Sequence, residues 1–229
     1  MRSPCVLAMT LIALVSITDF ARAATITNGS MDHTGGTNYL YFNGYIAPGW
    51  TQDNSHTNTS IYTTSPDIFD PVMTAFSMAW DPSPNGGMFA HMTAWEDDEI
   101  QEGIFQTITG LSIGVVYEIL FWQSITDTNF TPSGILGQWQ VEFGAATQYS
   151  ATMAAPTAGT AYGWDLQALS FTATATSQDL RFFAKSYDEV EPVYIGLDGV
   201  MIRSLPEPST GLLLGLALVG LCRRGRIPR

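Results

Sequence analysis

Gly110-Leu111-Ser112-Ile113-Gly114 fits G-x-S-x-G, the turn that raises a serine nucleophile between a strand and a helix in many hydrolases. That chemistry needs a helix after the serine. Val115 to Trp122 reads instead as a strand, so the glycines are expected to make a hairpin turn with Ser112 as an ordinary member of it. His33, His56 and His91 are well separated and lack the H-x-x-x-H or H-E-x-x-H spacing that brings two imidazoles to one zinc. Solvated loop or edge positions are expected for all three. Glu96-Asp97-Asp98-Glu99 with Glu102 is the densest acidic run. Paired carboxylates across a cleft could cleave a glycosidic bond, and clustered ones could hold a cation. A solvated acidic loop is the plainer reading. The only cysteines, Cys5 and Cys222, lie near the two ends, so the body has no disulfide, thiol nucleophile or thiolate ligand. No catalytic set emerges, and the chain is expected not to be an enzyme.

Six tryptophans are the stronger chemical signal. A flat ring packs against the C–H face of a sugar while the hydroxyls stay wet. Trp50, Trp122 and Trp164 read as packing residues. Trp80 precedes the turn Asp81-Pro82-Ser83-Pro84-Asn85-Gly86-Gly87, and Trp95 abuts the acidic run. Those two, at strand ends, are the candidates for a ligand surface.

Positioning such residues falls to β-strands. Residues 74–80, 103–109, 115–122, 138–143, 169–174, 180–184 and 193–197 are short stretches rich in β-branched and aromatic residues. Several alternate apolar and polar, with Gly, Pro, Asn and Asp between them, which predicts an antiparallel sandwich. No stretch of the body sustains a helical period. Residues 51–72 read as a long surface loop with one short strand around Ile61.

Charge narrows the partners. Between Ala24 and Ser204 the bases are Arg181, Lys185 and Arg203 against nineteen acids, 3 − 19 = −16. A phosphate backbone is repelled by that balance, so nucleic acid is excluded as a partner. Divalent cations and an extracellular setting suit it.

The two ends are address labels. Arg2, an apolar stretch from Val6 to Ile17 and the small-x-small Ala21-Arg22-Ala23 make a secretory signal peptide over 1–23, cut after Ala23. At the other end Gly211 to Leu221 is eleven apolar residues, which as a helix reach roughly 16 Å, about half a bilayer core. Arg223, Arg224, Arg226 and Arg229 follow and hold that end on the cytoplasmic side. Pro206-Glu207-Pro208 stands just ahead, in backbone that the prolines keep extended. The order Pro-Glu-Pro, short Gly/Leu helix, arginines over 205–229 resembles the PEP-CTERM sorting tail of Gram-negative bacteria. The resemblance implies transient membrane insertion, processing by an exosortase-type enzyme, and a cell-surface or matrix destination in a host that makes extracellular polysaccharide.

The body, 24–204, is expected to be one domain. Asn28-Gly29-Ser30-Met31-Asp32, Pro48-Gly49-Trp50, Phe105 to Phe121 and Ile195-Gly196-Leu197-Asp198-Gly199-Val200 together resemble the galactose-binding-like jelly rolls of carbohydrate-binding modules. The resemblance implies an all-β jelly-roll sandwich and noncatalytic binding of extracellular polysaccharide. It also implies a structural calcium where Asp32 of the first strand meets Asp198 of the last. The alternatives are that these aspartates only cap turns, and that the domain is a structural or adhesive matrix component, or a polysaccharide-active hydrolase.

Overall fold

The computed structural model describes residues 24–32, 46–56, 67–69, 80–95, 100–126, 133–157, 160, 162–187 and 192–205. Ala21, Ala23, His33, Ile61, residues 74–79, Glu96 to Glu99, and the motif Pro206, Glu207 and Pro208 lie outside them. The described chain is an all-β sandwich. Its first sheet contains β1 (Thr51–Asp53), β5 (Gly103–Thr109), β7 (Leu136–Phe143), β8 (Ala146–Tyr149), β9 (Met153–Ala154) and β11 (Ser177–Ser186), in the order β1-β5-β11-β7-β8 with β9 also on β7. The second contains β2 (Asp67–Phe69), β3 (Phe89–Trp95), β4 (Ile100–Gln101), β6 (Val116–Thr126), β10 (Asp165–Thr172) and β12 (Val193–Ser204), in the order β10-β6-β12-β3-β2 with β4 on β3. All pairings are antiparallel.

Alternation sets the layers. Ile104, Ile108, Trp139, Val141, Phe143, Leu180, Phe182 and Ala184 point inward from the first sheet. Ile119, Phe121, Ile125, Ala90, Met92, Ile195 and Leu197 meet them from the second. Phe182 is the hub: its ring lies edge-on to Trp50 at 6.0 Å, Phe121 at 5.1 Å and Trp139 at 6.1 Å. Truncating it leaves a void that these rigid rings cannot close. Phe182→Ala is expected to cost about 3–5 kcal/mol, read as a fall in the urea midpoint at unchanged slope. A cost below about 1 kcal/mol would contradict this packing.

Two sequence expectations are corrected here. The segment between β5 and β6 is not a hairpin, because β5 belongs to the first sheet and β6 to the second. It is an arch: Leu111 turns inward, its N–H bonds Thr176 O at 3.1 Å, and Gly114 N–H bonds Ala173 O at 2.8 Å. A five-residue link between two strands cannot distinguish the two from sequence. Ser112 stands in this arch with strand β6 after it, so no nucleophile elbow exists. Likewise 51–72 is not a plain loop, since β1 and β2 frame it.

Residues 100–103 cross the other way. β4 pairs with β3 in the second sheet and β5 begins in the first. Glu102 sits at the crossing, 8% exposed, accepting the Thr93 N–H at 2.8 Å. It was expected in a solvated acidic loop; instead it satisfies main-chain groups where the strand changes sheets.

Candidate functional site

At Asp198 the last strand slips register with β6. Asp198 faces Trp122 and Met201 faces Leu120, so Gly199 and Val200 bulge. Gly199 takes φ +59°, and a side chain there would press on the Trp122 ring. Val200 N–H bonds Gly29 O at 2.8 Å, and any Cβ on Gly29 would collide with the Val200 carbonyl. The bulge thereby docks the first segment of the domain on its last strand. Asp198 and Asp32, from opposite ends of the chain, come into electrostatic contact.

Asp198 is fully buried, accepting the Gly199 N–H on Oδ1 at 2.6 Å and the Ser83 hydroxyl on Oδ2. Asp32 is exposed; its Oδ1 accepts the Met88 N–H at 3.2 Å, over Gly87, where no side chain would fit. Met31, buried beside it, takes φ +55°, a strained placement that the docking fixes. Burial pushes the Asp198 carboxyl up to about 7, Ser83 and Gly199 pull against that, and Asp32 adds to it. The Asp198 carboxylate and Ser83 hydroxyl, with the Asp32 carboxylate near enough for its charge to act on Asp198, are hard oxygen donors, the chemistry that calcium selects. No third acidic or histidine side chain joins them among the described residues, so further ligands would be main-chain oxygens or water.

The candidate tryptophans lie on the outer side of the same sheet. Trp80 is 8% exposed and packs on Phe89 at 4.8 Å, with Trp164 at 6.3 Å. Gly196 lets both rings approach the sheet. Trp80 is therefore packed rather than presented to solvent. Trp95 ends β3, paired with Ile100 and half-buried. His91, expected in solvent, is buried instead under this group. It stacks on Tyr194 at 5.6 Å, lies edge-on to Trp80, and is held neutral by burial, its pKa lowered to about 4. His56 meets its expectation at 37% exposure. Of the tryptophans read as packing, Trp50 is buried while Trp122 and Trp164 are half-buried.

A further constellation lies on the outer face of the first sheet. Cross-strand register sets Phe105, Arg181, Glu142 and Thr147 in one row, and Asp53, Gly103, Phe183, Gln140 and Tyr149 in the next. At about 4.8 Å between strands, the row from β1 to β8 spans roughly 19 Å. Arg181 stands at the centre. It ion-pairs with Asp53 and with Asp179 at 2.7 Å, and its guanidinium lies over the Phe105 ring at 4.9 Å. Burial lowers its pKa, but the two carboxylates outweigh that and raise it. Thr107 donates to the other Asp179 oxygen at 2.7 Å. Glu142 accepts from Gln140 at 2.9 Å and faces His56 Nε2 at 3.4 Å. The His56 ring lies 4.3 Å from that of Phe183 and helps to roof it.

The front of this face, with Thr107, Arg181, Glu142 and Tyr149, opens to solvent, while Asp53, Phe183, Gln138 and Gln140 behind it are buried. The result is a shelf of planar polar groups, mutually held, with an aromatic edge. Three carboxylates against Arg181 and Lys185 leave it near −1. No sequence spacing announces it, since its members come together only through strand pairing; Arg181 and Asp53 are 128 positions apart.

A family model described as the PEP-CTERM protein-sorting motif matches residues 204–227. The chain is thus an exported protein sorted by an exosortase through its tail. No curated protein matches the chain in sequence. Among solved structures, a cyclase from Fischerella sp. TAU shares 13% identity and a TM-score of 0.52, over 82% of this chain and 100% of that one. The CBM22-1 xylan-binding domain of Paenibacillus barcinonensis Xyn10C shares 15% identity with a TM-score of 0.43, over 81% and 97%. The CBM22-1-GH10 modules of a Clostridium thermocellum xylanase share 12% with a TM-score of 0.40, over 71% of this chain and 27% of that one. Likeness at these identities carries the fold alone.

Proposed function

We propose that this exported domain binds neutral extracellular polysaccharide without cleaving it, along the shelf on its first sheet. The observation that carries the reading is the row of planar polar side chains around Arg181, held in place by one another beside exposed ring surface. Adjacent sugar hydroxyls are matched by such groups in pairs of hydrogen bonds, and groups already fixed lose little entropy on binding. The shelf's own ions are paired, which suits an uncharged ligand. Asp53 and Asp179 are both committed to Arg181, which leaves neither placed as a proton donor. Calcium, held by Asp32 and Asp198, would supply charge neutralisation that ties the first segment to the last strand. Delivery by the sorting tail supports a place at the surface, or in the matrix, of a Gram-negative cell.

The test is electrophoresis of the domain through gels loaded with xylan, galactan, glucomannan and, as the charged contrast, alginate. Retardation by a neutral polymer, weakened about tenfold by Tyr149→Ala at unchanged stability, is the expected result. Free migration of folded protein through every gel would favour a structural or adhesive matrix component with no sugar site. Release of reducing ends from a retarding polymer would favour a hydrolase.

A further inference from the structure

The geometry points to a lipid-facing pole: the end of the sandwich from which the sorting tail leaves rests on the membrane surface while the tail is inserted. That end is built from the arch 109–117, the β7–β8 turn 144–147 and the turn 172–178. Main-chain bonds knit them together: Leu111 N–H to Thr176 O, Ala173 N–H to Val115 O at 3.0 Å, and Gly144 N–H to Asp179 O at 3.0 Å. β12 ends here, with Leu205 N–H on Val116 O at 2.8 Å.

These three segments contain no charged residue, although the body around them carries −16. The nearest ions neutralise each other, Glu118 with Arg203 at 2.5 Å on one sheet and Asp179 with Arg181 on the other. Two apolar side chains project from this neutral cap: Ile113 is 66% exposed and Val116 36%. A surface with the net negative charge of this body is repelled by the negative potential of anionic headgroups, and this uncharged cap is not.

The chain itself says what covers the cap. Only residues 206–210 separate Leu205 from the apolar run that begins at Gly211. Fully extended, five residues reach roughly 17 Å. With that run inserted, the pole is held within roughly 17 Å of the acyl chains, close enough to reach the headgroup layer. Ile113 and Val116 then add apolar area to a run too short to anchor firmly by itself, and they fix which end of the domain faces the bilayer. This inference is independent of the sugar reading.

The test uses the full chain with its tail, reconstituted in vesicles of phosphatidylethanolamine and phosphatidylglycerol with brominated acyl chains. A fluorophore is placed on Ile113→Cys, or on Leu136→Cys as control, after Cys5→Ser and Cys222→Ser. Leu136 is also a large exposed apolar residue (42%), but it starts β7, whose other end abuts the pole. Strong quenching and a blue shift at 113, with neither at 136, is the expected result. Equal water exposure of both labels would overturn the inference. So would equal quenching of both, which means unspecific adsorption. Val116→Asp, exposed and tolerable to the fold, should remove most of the quenching at 113; quenching that persists unchanged also counts against it.

Discussion

Arg181→Ala should abolish polysaccharide retardation and destabilise the domain by about 3–5 kcal/mol, near the lower end because the guanidinium is itself partly solvated. Asp53 is the reason for the second effect. Its side chain is 6% exposed and is paired with the guanidinium. Removing the arginine strands a carboxylate in a place water barely reaches, and the Phe105 ring loses the cation above it. For a domain of this size the loss corresponds to a melting temperature lower by roughly 10 °C. Binding and folding can be separated by a double change. Asp53→Asn with Arg181→Met removes both charges while keeping shape, so stability should largely return. Retardation should not, because the donors that match vicinal hydroxyls are gone. A single variant that melts like the parent and still binds would show the shelf to be a solvated ion pair and nothing more.

The second large effect is a pH dependence hidden by two buried groups of opposite sign. Asp198 has its carboxyl raised to about 7 in the folded state. Its unfolded value is about 3.9, so the folded state holds the proton longer, and stability falls as pH rises from about 4 to 7. His91 is lowered from 6.5 to about 4. The unfolded chain takes up that proton first, so stability falls as pH drops from 6.5 towards 4. Each amounts to roughly 3–4 kcal/mol across its window, so in chelator the two nearly cancel and the melting curve looks flat. Asp198→Asn should unmask the histidine, giving a variant whose melting temperature climbs steadily from pH 4 to 6.5. Calcium added to the parent should stabilise more at pH 8 than at pH 5, since the ion competes with the Asp198 proton. A parent with no calcium response at either pH would leave Asp32 and Asp198 as turn caps.

The strands that were legible are those with one wet and one dry face. Leu136 to Phe143 and Ser177 to Ser186 alternate because their outer sides carry glutamines, glutamate, arginine and lysine. Phe89 to Trp95 escaped notice for the opposite reason. The Trp80 and Trp164 rings cover its outer side, both faces are dry, and Phe-Ala-His-Met-Thr-Ala-Trp shows no polar period. The same rings explain why Trp80 looked available: a tryptophan before a Pro/Gly turn reads as a tip, and only the fold shows another tryptophan closing over it. The Asp32–Asp198 meeting was foreseeable from its resemblance to a known pattern. The shelf was not. Its register joins strands from four distant parts of the chain, and an arginine flanked by Leu180 and Phe182 looks like any residue on the wet side of a strand.

β12 pairs with β6 along most of its length and with β3 from Val193 to Leu197, and the sequence runs on from it into the tail. A pull applied through the tail would therefore enter the molecule along an interior strand. Freeing the strand would require the β6 ladder to slide and, from Val193 to Leu197, the β3 ladder with it, whereas a peripheral strand is held by one ladder throughout. The tail thus joins the body at a strand inside its sheet rather than at a sheet edge, so a load carried through it would be shared with the neighbouring strands.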